Sequence, residues 1–197
     1  MAAALADPVF RFDKSEHRYF LDGVEIPHIT TMLSDCGYID ETYFNEEGRD
    51  RGTMVHALTA DYDLGALPNP AALECVWKGF VLGHVAAMRA VKPIWRHVET
   101  ALVSPTYRFG GRPDRVGKVW GAWAVVDIKT GARHAATPIQ TALQALLVAP
   151  ELHLPATAIV RYELDLKESG RWQLYEHVNR RDFDKAYEVI SACCPKA

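Results

Sequence analysis

An apolar run, AWAVVDIKTG at residues 122–131, ends in Asp127, Ile128 and Lys129. In a β-strand, residues i and i+2 share a face, so Asp127 and Lys129 project together while Ile128 turns into the core. Taken alone, such a pair reads first as a local ion pair at a strand end. Asp114, in GGRPDRVG one strand earlier, is expected mid-strand, where a hairpin brings it beside Asp127. Two carboxylates so close repel each other unless a cation lies between them. Hard Mg²⁺ takes carboxylate oxygens and water. Lys129 next to such an ion would orient an attacking water or stabilise negative charge developing on a phosphate.

These residues must be carried on a frame, and the patterning outlines one. VFRFDKSEHRYFLDGVEIP alternates apolar and polar residues around Asp22-Gly23, which predicts a β-hairpin at about 9–26. PHITTMLSDCG reads as a short helix with Thr30 as cap and Gly37 as stop. Residues 48–64 read as a helix whose apolar face is Met54, Leu58 and Tyr62, with His56 on the opposite side. A long buried helix is expected from Pro70 to Lys92-Pro93. Three β-rich runs follow, IWRHVETALVSP, YRFGGRPDRVGKVW and AWAVVDIKTG, expected as consecutive antiparallel strands. ATPIQTALQALLVAP predicts a helix capped by Thr137 with Pro138 at its first position and Ile139, Leu143, Leu146 and Leu147 on its apolar face. A strand pair turns at Ser169-Gly170. An amphipathic helix closes the chain, with Phe183, Tyr187, Ile190 and Cys194 inward. The expected class is α/β: a sandwich with a central mixed β-sheet flanked by helices and an N-terminal β-hairpin. One domain is expected over 1–197, with the hairpin and first helices in 1–93 and a catalytic core in 94–197.

The chain has 197 residues, 49% hydrophobic and 24% charged, ordinary for one globular core. No apolar stretch approaches the ~20 residues of a membrane span, and MAAALADPVF lacks the basic region of a secretory signal, so a cytoplasmic location and no membrane contact are expected. Net charge is −3, against a generic polybasic binder of nucleic acid. Residues 105–134, however, hold six basic side chains (Arg108, Arg112, Arg115, Lys118, Lys129, Arg133) and two acidic ones, Asp114 and Asp127, a local +4. Such a strip fits a polyanion cleft, or chance clustering on solvated strands. Cys36, Cys75, Cys193 and Cys194 show no zinc spacing. There is no G-x-S-x-G elbow, phosphate-binding P-loop, dinucleotide fingerprint or H-E-x-x-H helix.

Asp114 followed by Asp127-x-Lys129 on the next strand resembles the PD-(D/E)XK nuclease superfamily, and in particular its RecB-type, lambda-exonuclease-like branch of small phage and bacterial exonucleases. RGTMVH resembles the branch's helical motif ending in a metal-binding His, here His56. GGRPD resembles its G-x-x-D, here Gly111 to Asp114. DIKTG followed by PIQTALQ resembles its D-x-K-T-G and Q-x-x-x-Y run, and HRYFLDGVEIPHITTML its N-terminal segment. The resemblance covers about residues 10–150. It implies a restriction-endonuclease-like fold and a Mg²⁺ or Mn²⁺ ion held by His56, Asp114, Asp127 and the Ile128 carbonyl, with Lys129 positioning the attacking water. It implies linear DNA, duplex or single strand, as substrate in recombination, repair or phage DNA processing, with a recombination or single-strand-annealing protein as partner.

Two departures stand out. Gln144 occupies the tyrosine position, so a DNA contact made through that ring is lost or replaced by the Gln144 amide, and the adjacent Cys193-Cys194 lack the spacing of the iron–sulfur members, so no cluster is expected. Each remaining candidate has a plainer alternative. His56 reads also as a surface histidine. Gln140, three residues after Thr137, has capping-box spacing as well as a place for a catalytic or DNA-contacting amide. Glu99 is either a support for the metal or a solvent-facing strand end. Arg49, Arg51, Arg133 and His134 either meet phosphates or are solvated. The readings left open are an exonuclease, an endonuclease acting on flaps or single strands, and a nuclease-fold module that binds without cutting, the last supported only by the missing tyrosine.

Overall fold

The computed structural model describes residues 9–39 and 46–194; the ends of the expected 1–197 domain lie outside them. The N-terminal segment is an antiparallel sheet of β1 (Phe10–Asp13), β2 (Arg18–Leu21) and β3 (Val24–Ile26), one strand more than a hairpin. Asp22 and Gly23 join β2 to β3 at φ +53° and +78°, the two-residue turn whose twist suits paired strands. Helix α1 (Ile29–Asp35) has His28, not Thr30, at its N-cap. Gly37, at φ +75°, ends it as the sequence indicates.

Helix α2 (Glu46–Asp63) buries Val55, Thr59 and Ala60, while Met54 is 46% exposed. Its inner face is therefore turned about one residue from the expected Met54–Leu58–Tyr62 stripe. The cause lies in what it packs against: Val55 enters the core beside Ile128 and Phe80, and Thr59 and Asp63 hydrogen-bond Arg115. Pro70–Ala72 form a separate 3₁₀ turn, and helix α3 (Lys78–Val91) begins only at Lys78.

The β-rich section contains β4 (Ile94–Val98), β5 (Leu102–Ser104), β6 (Phe109–Gly111), β7 (Arg115–Val119) and β8 (Ala122–Lys129), then α4 (Thr137–Leu152), β9 (Val160–Leu166), β10 (Trp172–Glu176) and α5 (Arg181–Cys193). Two of the three expected runs are thus each split, and β5–β6 form a ribbon of their own. The central sheet has the order β10-β9-β8-β7-β4. Only β8–β9 is parallel, and α4 supplies the crossover that a parallel pair needs. This is the expected mixed α/β sandwich.

Strand alternation assigns the faces. Val116 and Val125 pack with α1, α4 and α5. Ala124, Val126 and Ile128 pack with Val55 of α2 and with Phe80, Ala87 and Val91 of α3. In α4, Ile139, Leu143, Leu146 and Leu147 are buried as the pattern predicts, but Ala136 holds the N-cap with no side-chain bond, and the Thr137 hydroxyl is buried without a partner. Helix α5 buries Phe183, Ala186, Val189 and Ile190, while Tyr187, expected inward, is exposed.

Candidate active site

The site forms at one end of β7 and β8, where the two helix layers meet. Asp114 precedes β7 rather than lying mid-strand. Beyond the last register pair of the two strands, Arg115 with Val126, its carboxylate takes the place of a strand partner: Oδ2 accepts the Ile128 N–H at 2.6 Å. Its Oδ1 lies 3.3 Å from Nδ1 of His56. Glu99 follows β4 at φ +48°, a conformation uncommon outside glycine, and its Oε1 lies 3.1 Å from the same Nδ1. The other ring nitrogen of His56 is 3.2 Å from the Ile128 carbonyl oxygen. His56, Glu99 and Asp114 each present one ligand atom within 4.8 Å of the others.

On the α4 face, Asp127 and Lys129 point the same way, as alternation requires. Lys129 Nζ is 2.7 Å from Asp127 Oδ2 and donates to Gln140 Oε1 at 3.1 Å. Gln140 and Gln144 both donate side-chain amides to Asp127 Oδ1, at 2.8 and 3.1 Å. Gln140 is therefore part of this cluster and no capping box. Gln144, one turn along α4, is buried and holds Asp127. The opposite charges that end β8 are thus stabilised by two amides from α4, since residues four apart on a helix share a face.

One supporting network was not signalled by the motifs. Arg115 is 0% exposed, and its guanidinium donates to Asp63 at 2.6 Å, Thr59 at 3.1 Å, the Asp114 carbonyl at 2.7 Å and Glu99 at 3.4 Å. Asp63 in turn contacts the buried His84 of α3 at 2.9 Å. A buried charge needs such partners. The signal was present as helical spacing: His56, Thr59 and Asp63 form a polar stripe along α2 at i, i+3 and i+7.

The remaining basic candidates are spread out. Arg112 lies 3.2 Å from Glu99 Oε2. Arg51 donates to Thr130 at 3.3 Å. Arg133 pairs with Glu163 at 3.0 Å and stacks on Tyr175. Arg49 is exposed on α2, and Arg108 occupies the β5–β6 turn. Lys118 sits against Trp123 toward the far end of β7. The six charges therefore do not make one strip, because alternation buries Arg115 and the strand length carries Lys118 away. Two cavities open on either side of His56 and Gln140. One, of about 630 Å³, reaches Glu99, Asp114 and Arg112. The other, of about 380 Å³, is lined by Arg51, Lys129 and His134, with no carboxylate among the described residues.

Electrostatics separate the groups. Burial disfavours a charged His56, but Asp114 and Glu99 outweigh it and raise its pKa to about 10. For Asp114, burial is overcome by His56, Lys129 and the Ile128 amide, and its pKa is lowered. Asp127 is raised, by burial first and then by the Asp114 charge, against the pull of Lys129. Lys129 is raised despite burial, because Asp127 and Asp114 favour its charge.

The oxygens of Glu99, Asp114 and Ile128 surround the His56 ring, whose extra proton a divalent cation would displace, leaving a neutral imidazole as a further ligand. This donor set of carboxylates, a carbonyl and one His suits a divalent ion. Fold and site together define a class, the metal-dependent nucleases of restriction-endonuclease-like fold. A family model confirms this: residues 70–196 match the PD-(D/E)XK nuclease superfamily, and the chain belongs to it. No curated protein matches the chain. No helix among the described residues is long and apolar enough to cross a membrane.

Proposed function

We propose that this chain is a DNA exonuclease of the RecB-type, lambda-exonuclease-like branch, acting with Mg²⁺ or Mn²⁺ and little sequence preference in recombination, repair or phage DNA processing. One observation carries the reading: the His56–Glu99–Asp114 donor set stands beside the Asp127–Lys129–Gln140 cluster, across the Asp114–Ile128 hydrogen bond. His56, Asp114, Asp127 and the Ile128 carbonyl would hold the ion, supported by Glu99, which clusters with His56 and Asp114. When bound, the ion would stabilise the extra charge on the phosphorane-like transition state. Lys129, oriented by Asp127 and Gln140, positions the attacking water and offsets charge on the nearest phosphate oxygen. Water attacks phosphorus in line, and the P–O bond opposite breaks. Arg51, Lys129 and His134 line the smaller cavity and supply groups for the phosphate backbone, contacts that position but do not specify sequence. The N-terminal sheet walls the larger cavity, which supports action at a strand end. The cell location that fits is the cytoplasm of a bacterium or phage-infected host, with a recombination or single-strand-annealing protein as partner.

The test compares end-labelled linear duplex, linear single strand and closed circular DNA, with Mg²⁺, Mn²⁺ or EDTA, beside Lys129→Ala. Metal-dependent loss of linear DNA alone supports the exonuclease. Cleaved circles would replace it with an endonuclease, and binding without cleavage with a non-cutting module.

A further inference from the structure

The part of the larger cavity's wall that the N-terminal sheet supplies lies outside residues 70–196, the segment matched by the family, and it is built mainly of rings. His17, Tyr19 and His28 line it together with Lys14 and Arg112. The His17 and His28 rings meet edge to face with centroids 5.0 Å apart. Tyr19 lies 5.6 Å from His17 and 5.7 Å from His28, and Phe12 backs His17 at 5.4 Å. The wall is tied to the catalytic body. The Gly110 N–H donates to the Pro27 carbonyl at 2.8 Å, and His28 bridges to Gly110 of β6. A side chain at Gly110 would overlap the Tyr19 ring, so the backbone of β6 closes directly on it.

The chemistry of the wall suits a base rather than a phosphate. Burial lowers the pKa of His28 to about 4 and, with Arg112 nearby, also lowers that of His17, which favours the neutral form of both rings. Neutral aromatic faces stack on nucleobases whatever their identity. Tyr19 is fully buried and its hydroxyl has no partner. Burial holds its pKa near 12, so it stays neutral as a ring backing His17 and His28. Lys14 and Arg112 supply the charge for flanking phosphates. A volume of about 630 Å³ is that of a small-molecule pocket.

We infer that the cavity between the N-terminal sheet and His56 is a nucleobase subsite, in which one unpaired base of the strand being cut packs against the edge-to-face His17–His28 pair, face to face with one ring and edge-on to the other. This rests on the nuclease reading and adds to it that the strand enters the site unpaired.

The experiment uses the full chain and single-stranded oligonucleotides in which an abasic residue is moved one position at a time. Binding is measured with Ca²⁺ in the Lys129→Ala protein, and the cut position is mapped with wild type and Mg²⁺. Expected is one position, next to the cut, where loss of the base weakens binding roughly tenfold. Adding His17→Ala, at an exposed position of the β1–β2 turn and checked for an unchanged circular dichroism spectrum, removes that difference. Equal affinity at all abasic positions, or a difference that His17→Ala leaves unchanged, overturns the subsite while cleavage keeps the nuclease reading. Dependence on a terminal phosphate without dependence on a base overturns it in favour of an anion pocket. A wild-type protein that neither binds nor cuts any oligonucleotide overturns both.

Discussion

Asp114 reaches across from the start of β7 to accept the backbone N–H of Ile128 at 2.6 Å. This bond fixes two things at once. It holds one carboxylate oxygen in place so that the other faces His56, and it sets the end of β8, where Asp127 and Lys129 diverge from Ile128.

Lys129 is the residue whose removal should separate chemistry from folding. It is 27% exposed in its side chain, whereas Asp127 retains two amide donors without it. Lys129→Ala is expected to lower cleavage by about 10²–10³-fold with the circular dichroism spectrum unchanged. Asp127→Asn, which preserves shape, should do the same. Cleavage within a few-fold of wild type in either variant would remove that residue from the catalytic set.

Cation binding should depend on pH through His56. With its pKa raised to about 10, the ring is protonated at neutral pH and must lose that proton to act as a ligand. Affinity for Mn²⁺ should therefore rise roughly tenfold per pH unit above about pH 7 and level off near pH 10. Calorimetry across that range measures the slope, and His56→Gln should flatten it. A flat wild-type profile would mean that His56 does not ligate the ion.

Acid stability should report the network behind the site. Burial alone would raise Asp63, but His84 and Arg115 lower it from 3.8. A carboxyl depressed in the folded state adds stability that is present above its unfolded pKa and lost as pH falls through the folded one. Melting temperature should fall as the wild type is acidified below about pH 4. Asp63→Ala leaves Arg115 short of a buried partner, at a cost of about 3–5 kcal/mol at neutral pH, and should show a shallower acid limb. An unchanged limb would assign the acid transition to other carboxylates.

Gly79 should tolerate no side chain. A Cβ there would sit inside the Glu168 carbonyl of the β9–β10 turn, so α3 packs on that turn through bare backbone. Gly79→Ala is expected to cost about 1–3 kcal/mol, read by urea denaturation. Gly52→Ala on α2 has open space around it and serves as the control.

Much of the local structure follows from sequence, because local periodicity is written residue by residue. Alternation in β8 is enough to put Asp127 and Lys129 on one face and Ile128 on the other. Asp22-Gly23 and Ser169-Gly170 mark their turns, and the motif order places His56, Asp114 and Gln140 in one neighbourhood. What local pattern leaves open is which partners meet. Met54, Leu58 and Tyr62 make as good a stripe as Val55 and Thr59, and only packing against Phe80 and Ile128, together with a buried Arg115 that needs Thr59 and Asp63, selects the second. Whether Glu99 faces solvent or His56 depends on a left-handed backbone residue after β4 and on Arg112 and Arg115 beside it. Gln140 reads as a cap until α4 is laid against β8. The sequence by itself therefore determined the elements and the motif that names the superfamily. Tertiary structure decided which donors share a site and that the N-terminal sheet walls it, because those contacts join residues far apart in the chain, whose approach depends on the packing of the whole core.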